Sequence, residues 1–451
     1  MSINFYKHFA RVSMNIIVFT FTLLVLLSGN VKADPGDTTW VTTFNQEFQN
    51  WATVHKDTFQ LPDTSLRYQK ILMFYTIGCP AAGCDPWDRL GWIKVYKAND
   101  TIDYEIARIV TPYNIVGGGY PGTCTWIIDV SDYDPLLHYD VIMGSYIESW
   151  IGGNRGWLVT VKLAYVEGEP DFIPYKITSL WQYSRIVYGD PTNPIEAKLT
   201  PKNITIDPSA DKVKIRVVTT GHGQGNTDNA AEFSYKWHSI LVGTDSLSHY
   251  LWRDDCPLNP CSPQGGTWAY PRAGWCPGQS VIPWDNDITS SVTPGQSVTI
   301  DYNVQPYENY CRPNNPNCTT GVTCPDCNYN YTGHTEPHYT VQSHLIYYYD
   351  NPNVNITPIG TSIPEEYTLK QNYPNPFNPN TMIEFGIPEK SNVTLYVFDL
   401  SGRIVKRLVE GSMSAGSYSV EFRGGEFASG VYLYKLVIDD IALVKKMVLM
   451  K

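Results

Sequence analysis

Between Thr38 and Asp350 the chain has no convincing run of apolar residues at helical spacing; short β-rich runs alternate with clusters of turn residues. That pattern predicts an all-β body. Lys70 to Ile77 (KILMFYTI), Trp92 to Lys97, Tyr104 to Val110, Trp126 to Val130, Val141 to Ser149 and Trp157 to Tyr165 form a first group of strands. Several alternate polar and apolar residues, as half-buried sheets do. The acidic, proline-bearing break Glu167-Gly168-Glu169-Pro170-Asp171 separates them from Gln182 to Tyr188, Lys212 to Thr219, Phe233 to Val242, Ser297 to Val304 and Thr340 to Tyr349. Two tandem β-sandwiches, over 38–168 and 172–350, are the economical reading.

Length and composition agree. A chain of 451 residues suggests about three units. Aromatic residues at 13% against charged residues at 17% favour strands over helical bundles. A net charge of −11 without a basic run in the body argues against a nucleic-acid partner, which is held through clustered Lys and Arg.

At the start, Lys7 and Arg11 precede an apolar run from Ile16 to Leu27, and Val31-Lys32-Ala33 offers a cleavage site. The run is short for a membrane span, so 1–33 reads as a signal peptide and the mature protein is expected to hold no stable membrane span. In an exported chain the ten cysteines then read mainly as disulfides.

The polar, proline-punctuated segment 351–366 reads as a linker. From Tyr367 onward six short strands with Gly and Pro turns suggest a third, small sandwich over 367–451. Its residues Asn372-Tyr373-Pro374-Asn375-Pro376-Phe377-Asn378-Pro379, Asp399-Leu400-Ser401-Gly402-Arg403, Ala428-Ser429-Gly430-Val431-Tyr432 and Lys446-Met447-Val448-Leu449 closely resemble the type A sorting domain of the type IX secretion system. The resemblance implies the type IX machinery as a partner, export from a Gram-negative cell to its surface or surroundings, and later removal of the module.

The densest chemical signal is Cys79-Pro80-Ala81-Ala82-Gly83-Cys84-Asp85-Pro86-Trp87-Asp88-Arg89. Cysteines this close can close a tight loop, holding Asp85 and Asp88 at a strand end with Trp87 beside them and Arg89 placed to pair with a carboxylate. The same residues would serve equally as a capped hairpin with a structural Asp88–Arg89 ion pair.

This segment resembles the bacterial peptide-N-glycosidase F amidases, which release N-linked glycans at the asparagine side-chain amide. The resemblance continues through Glu105-Ile106-Ala107-Arg108, Thr111-Pro112-Tyr113, Ile128-Asp129-Val130-Ser131-Asp132-Tyr133, Tyr146-Ile147-Glu148-Ser149-Trp150 and Trp268-Ala269-Tyr270-Pro271-Arg272-Ala273-Gly274-Trp275-Cys276-Pro277-Gly278. It implies paired jelly-roll sandwiches with the site near their junction, and N-linked glycoproteins or glycopeptides as substrate. Asp88 matches the principal catalytic aspartate, Glu148 a second essential acid and Glu232 a third. Arg89, Trp150, Arg272 and Trp275 match residues that contact substrate or order the site, and Trp87 is read as lying beside it. Disulfides Cys79–Cys84 and Cys256–Cys276 are implied by the same match. The chain departs from the family at Ala230 and Ser234, where the family carries cysteines flanking the glutamate. It departs again in Gly221-His222-Gly223-Gln224-Gly225, where the family places Trp then His.

Three carboxyl groups make chemical sense without a metal or cofactor: amide hydrolysis needs a base to activate water and an acid or donor to polarise the carbonyl. Burial against Trp87 is expected to raise the proton affinity of Asp88. Trp150 and Trp275 suit sugar rings or, as readily, plain packing.

Weaker signals point elsewhere. His334-Thr335-Glu336-Pro337-His338 lacks the helix a zinc motif needs, because Pro337 forbids it, and reads as a loop. Cys311, Cys318, Cys324 and Cys327 read as two local disulfides rather than a zinc site. With Cys124 and Cys261 they leave the pairing open. A non-catalytic glycan-binding or adhesion protein on the same fold is the alternative function. A copper monooxygenase would need clustered His or Met ligands that these scattered histidines do not supply.

Overall fold

Side-chain alternation along each strand sorts the chain into sheets with one buried face. In Tyr68–Gly78 the residues Ile71, Met73, Tyr75 and Ile77 point inward and are at most 1% exposed, while their neighbours are partly open. The structure, a computed structural model, describes residues 36–97, 102–113, 122–225, 228–328, 335–351, 356–360, 362–425 and 427–451. The expected leader over 1–33 lies outside them. Among the described residues no helix is long and apolar enough to cross a membrane.

The first sandwich packs a sheet ordered Thr38–Thr42, Trp157–Glu167, Tyr68–Gly78, Thr123–Asp129, with Glu47–Gln49 also on Trp157–Glu167, and a sheet ordered His55–Leu61, Tyr139–Ile147, Leu90–Tyr96, Asp103–Val110. The second pairs Phe172–Val187, His338–Asp350, Lys212–His222, Trp284–Asp287 with Lys202–Thr205, Ser297–Val304, Trp237–Val242, Asp245–Tyr250. A third pair, Ile356–Pro358, Gly416–Arg423, Asn380–Ile387, Thr368–Leu369 and Ile404–Met413, Ser391–Phe398, Gly430–Ile438, Ile441–Leu449, forms the carboxy-terminal module. Its ladders, like those of the first two sandwiches, are antiparallel. The all-β expectation holds.

The strands that sequence pattern did not single out include Thr38–Thr42, His55–Leu61, Lys202–Thr205, Asp245–Tyr250 and Trp284–Asp287, and each lies at the edge of its sheet. An edge strand meets one neighbour and much solvent, so its composition stays polar and the apolar alternation is weak. Ile356–Pro358, read as linker, is one more: it pairs with Gly416–Arg423 in the third module. Conversely Phe233 to Lys236, read as strand, lies outside the strand Trp237–Val242.

The first two sandwiches share a tightly built junction. Strand Asp103–Val110 is buried at every position after the first, because the segment 278–281 of the second sandwich covers its free edge. There Val110 N donates to Gln279 O at 3.0 Å and Val281 N to Arg108 O at 2.8 Å. Arg108, 2% exposed, forms a two-pronged pair with Glu105 and donates across the junction to Thr220 Oγ1 and Thr340 O. Val110, Val218, Trp275 and Val281 make a small apolar cluster between the sandwiches. The disulfide Cys124–Cys261 ties the two together covalently.

Candidate active site

The loop carrying Asp88 links strands Tyr68–Gly78 and Leu90–Tyr96, which belong to opposite sheets of the first sandwich. Cys79 and Cys84 are bridged within it. Asp85 is fully buried and saturated: Oδ2 accepts from Arg89 Nε at 2.9 Å and Ser149 Oγ at 2.7 Å, and Oδ1 from the Trp87 amide at 3.1 Å. The ion pair of this loop is therefore Asp85–Arg89; a guanidinium already turned to a buried carboxylate is not the Asp88 partner weighed from sequence. Thr111 fixes the backbone on both sides of Asp88. Its Oγ1 donates to Trp87 O at 3.1 Å and accepts from Arg89 N at 2.8 Å, and its own N–H donates to Arg89 O at 2.8 Å.

The second sandwich closes over this corner. Gln264 Oε1 accepts from Tyr113 N at 2.8 Å and Gly265 N donates to Tyr113 O at 2.7 Å. Gly266, at φ +62°, passes so close to the Tyr113 ring that a Cβ would sit 1.9 Å from it. Trp87 is 47% exposed and leans on Tyr113 at 5.8 Å between ring centroids. Trp87 itself is therefore too open to supply the burial of Asp88 expected against it.

Glu232 arrives on a loop of the second sandwich whose flanking Ala230 and Ala231 are wholly buried. Its N–H donates to Gly223 O at 3.0 Å and its carbonyl accepts from Ala273 N at 2.8 Å. Gly223 is required there: φ is +79°, and a Cβ would lie 2.2 Å from Glu336 O. Ala230 and Ser234, at 0% and 5% exposed, are both packed inside. Lys236 pairs with Asp228 at 3.0 Å across the same loop.

Arg272 joins the two loops electrostatically. It is 1% exposed; Nε donates to Glu232 Oε1 at 3.1 Å, and its terminal nitrogens donate to Thr267 O, Tyr270 O and Thr267 Oγ1. Its guanidinium lies 4.9 Å from the Phe233 ring centre and 5.0 Å from that of Trp275. Burial pushes Asp88 up to about 6, against the pull of Arg272 and Arg89. Burial likewise pushes Glu232 up to about 7, with Arg272 opposing and the Asp88 charge adding to the rise. Tyr113, whose phenol is raised by burial and by the charges of Asp88 and Glu232, belongs to the same group. Its motif was noted in the sequence, but nothing local marked its ring as lying within reach of the charges of two acids.

Glu148 stands apart at an exposed rim, on the end of strand Tyr139–Ile147, with its N–H on Leu90 O at 2.9 Å. Partial desolvation against the cleft wall raises its carboxyl, and Arg89 and Arg185 draw it back. Glu148, Arg89, Trp150 and Arg185 line a cleft of about 590 Å³ between the sandwiches. Trp150 is 52% exposed and meets Trp51 edge-on at 5.6 Å. Trp275 is different: 3% exposed, its indole N–H donates to Gly221 O at 2.7 Å and His222 stacks on it at 5.3 Å. It offers no open face to a sugar and orders Arg272 instead.

Cys256–Cys276 is bridged, and the cysteine-rich loop closes as Cys311–Cys324 and Cys318–Cys327, leaving no thiolate there for zinc. His338 opens the strand His338–Asp350 rather than lying in a loop, because that strand pairs on both sides; His334 is outside the described residues.

Comparison with known proteins fits this geometry. Residues 191–323 match the family description "Peptide-N-glycosidase F, C terminal". Residues 371–450 match "Secretion system C-terminal sorting domain", so the chain carries the address of a protein secreted by the type IX system. Two solved structures, the glycosylasparaginase PNGase F from Flavobacterium meningosepticum and a peptide-N(4)-(N-acetyl-beta-D-glucosaminyl)asparagine amidase, each superpose with a TM-score of 0.57 at 25% identity, covering 72% of this chain and 98% of theirs. Peptide-N(4)-(N-acetyl-beta-D-glucosaminyl)asparagine amidase F of Elizabethkingia miricola is 30% identical over 262 residues, 56% of this chain and 72% of the relative. With that identity over 72% of the relative and that likeness of fold over 72% of this chain, the chain belongs to the peptide-N-glycosidase F family of amidases.

Proposed function

We propose that the protein hydrolyses the side-chain amide joining asparagine to N-acetylglucosamine in N-linked glycoproteins or glycopeptides. The products are a glycan ending in a glycosylamine and a peptide carrying aspartate. One observation carries this reading: two carboxyls raised to about 6 and about 7, from different sandwiches, with the buried Arg272 paired to Glu232 and its charge reaching Asp88.

Near neutral pH such a pair retains part of its proton load, with the weaker hold on Asp88. Asp88 as carboxylate takes a proton from the attacking water, whose oxygen bonds to the amide carbon. Glu232 as acid gives its proton to the departing nitrogen, and the carbon–nitrogen bond breaks. Arg272 keeps the two carboxyls in place and limits how far burial raises them. Glu148 and Arg89, on the cleft wall, bind and orient the sugar.

Incubating the purified protein with a denatured N-glycoprotein tests this. Released glycan together with an asparagine-to-aspartate mass change, abolished by Asp88→Asn, is the expected result. Glycan binding without release points to a non-catalytic glycan-binding protein.

A further inference from the structure

The cleft beyond Glu148 contains features that hydrolysis at the first sugar does not require. Its floor is the outward face of the sheet containing Leu90–Tyr96 and Tyr139–Ile147. There Trp92 and Tyr146 are direct cross-strand partners, stacked at 5.0 Å and 17°. They lie one register step from the Leu90–Glu148 hydrogen bond, so the pair stands about 7 Å further from the catalytic corner along the sheet. Lys94 follows at the next step, its Nζ 4.6 Å from the Trp92 ring centre and 3.0 Å from Asp103. Gln182 of the second sandwich lines the same cleft and donates to Asp103.

We propose that this stretch is a distal sugar subsite, which holds the glycan beyond its two proximal sugars and makes the enzyme prefer extended glycans over truncated ones. The inference rests on the amidase reading above. Strand Leu90–Tyr96 is paired on both sides, so the floor offers no free backbone edge to a peptide. It offers aromatic surface and charged tips, which match the C–H faces and hydroxyls of a sugar. The subsite is continuous with the wall that carries Arg89, Glu148 and Trp150, and Arg89 directly follows Asp88 in the chain, so a glycan rooted at Asp88 enters the cleft at that end.

The test compares the full-length protein on one peptide bearing either the two proximal sugars or a complete mannose-rich glycan. The expected kcat/KM is about tenfold higher for the complete glycan, and Trp92→Ala removes most of that ratio, acting through KM, while Trp92→Phe retains it. Equal rates on both substrates, or a Trp92→Ala loss of the same proportion on both, overturns the subsite and leaves the amidase reading standing. A Trp92→Ala effect that tracks peptide length instead of glycan length also overturns it. Binding of the free mannose-rich oligosaccharide to the Asp88→Asn protein, followed by tryptophan fluorescence, separates the two readings. Trp92-dependent binding, when the unmutated protein hydrolyses neither substrate, supports the subsite and refutes the amidase.

Discussion

The loops that present Asp88 and Glu232 reach similar electrostatic ends by different means. The Asp88 loop is reinforced mostly from within: a disulfide spans Cys79 to Cys84, and Asp85 draws Trp87 N and Arg89 onto one buried carboxylate. The Glu232 loop has no disulfide of its own. It is held by Gly223, Ala273 and Arg272 and by the small side chains Ala230 and Ala231 packed into the core. A carboxyl can thus be secluded by a covalent staple or by fit alone. The second solution makes the loop depend on the rest of its domain.

The comparison can be broken most sharply at the acid itself. Asp88→Asn should lower amide hydrolysis by about 10²- to 10⁴-fold with an unchanged circular dichroism spectrum, as expected for loss of a general base. Arg272→Met should cost about 3–5 kcal/mol in denaturant unfolding, because Glu232 is left buried without its partner.

Acid–base linkage gives a test with a defined sign. Asp88 rises from 3.8 to about 6 and Glu232 from 4.5 to about 7 on folding. The native state therefore binds more protons than the unfolded chain. Their contribution is fully present below about pH 4 and is lost as pH rises towards 7. Denaturation midpoints of Asp88→Asn and Glu232→Gln should fall less steeply than wild type over that window; identical slopes would contradict the burial of both acids.

Smaller effects separate staple from fit. Replacing Cys79 and Cys84 by Ser should reduce stability by about 2 kcal/mol, the value for so short a closed loop, and should reduce kcat with it. Lys236→Met removes the pair with the exposed Asp228 and the contact of the ammonium with the Tyr307 ring at 5.2 Å, and a change in unfolding free energy of about 1 kcal/mol is expected. A larger loss would mean that this pair, rather than packing, holds the Glu232 loop.

The fold class, the inner strands, the carboxy-terminal module and the Cys79 to Arg89 loop were all legible in the chain, because each is written in neighbouring residues. Period-two alternation marks a strand buried on one face, and close cysteines with an adjacent Asp-x-x-Asp-Arg mark a braced loop. The more polar edge strands, such as Thr38–Thr42, His55–Leu61 and Asp245–Tyr250, escaped notice because solvent relaxes their pattern.

What the sequence determined by itself was therefore local: all-β sheets, a sorting module and a stapled acidic loop. Only the tertiary structure decided that Arg89 turns to Asp85, that Trp275 is buried while Trp150 is open, and that Tyr113 comes within reach of the charges of both acids. It also decided that Cys124 meets Cys261 at a separation of 137 residues and Arg272 meets Glu232 at 40. These outcomes depend on how two sandwiches pack against each other, and the energy that selects them is spread over a junction no single segment encodes.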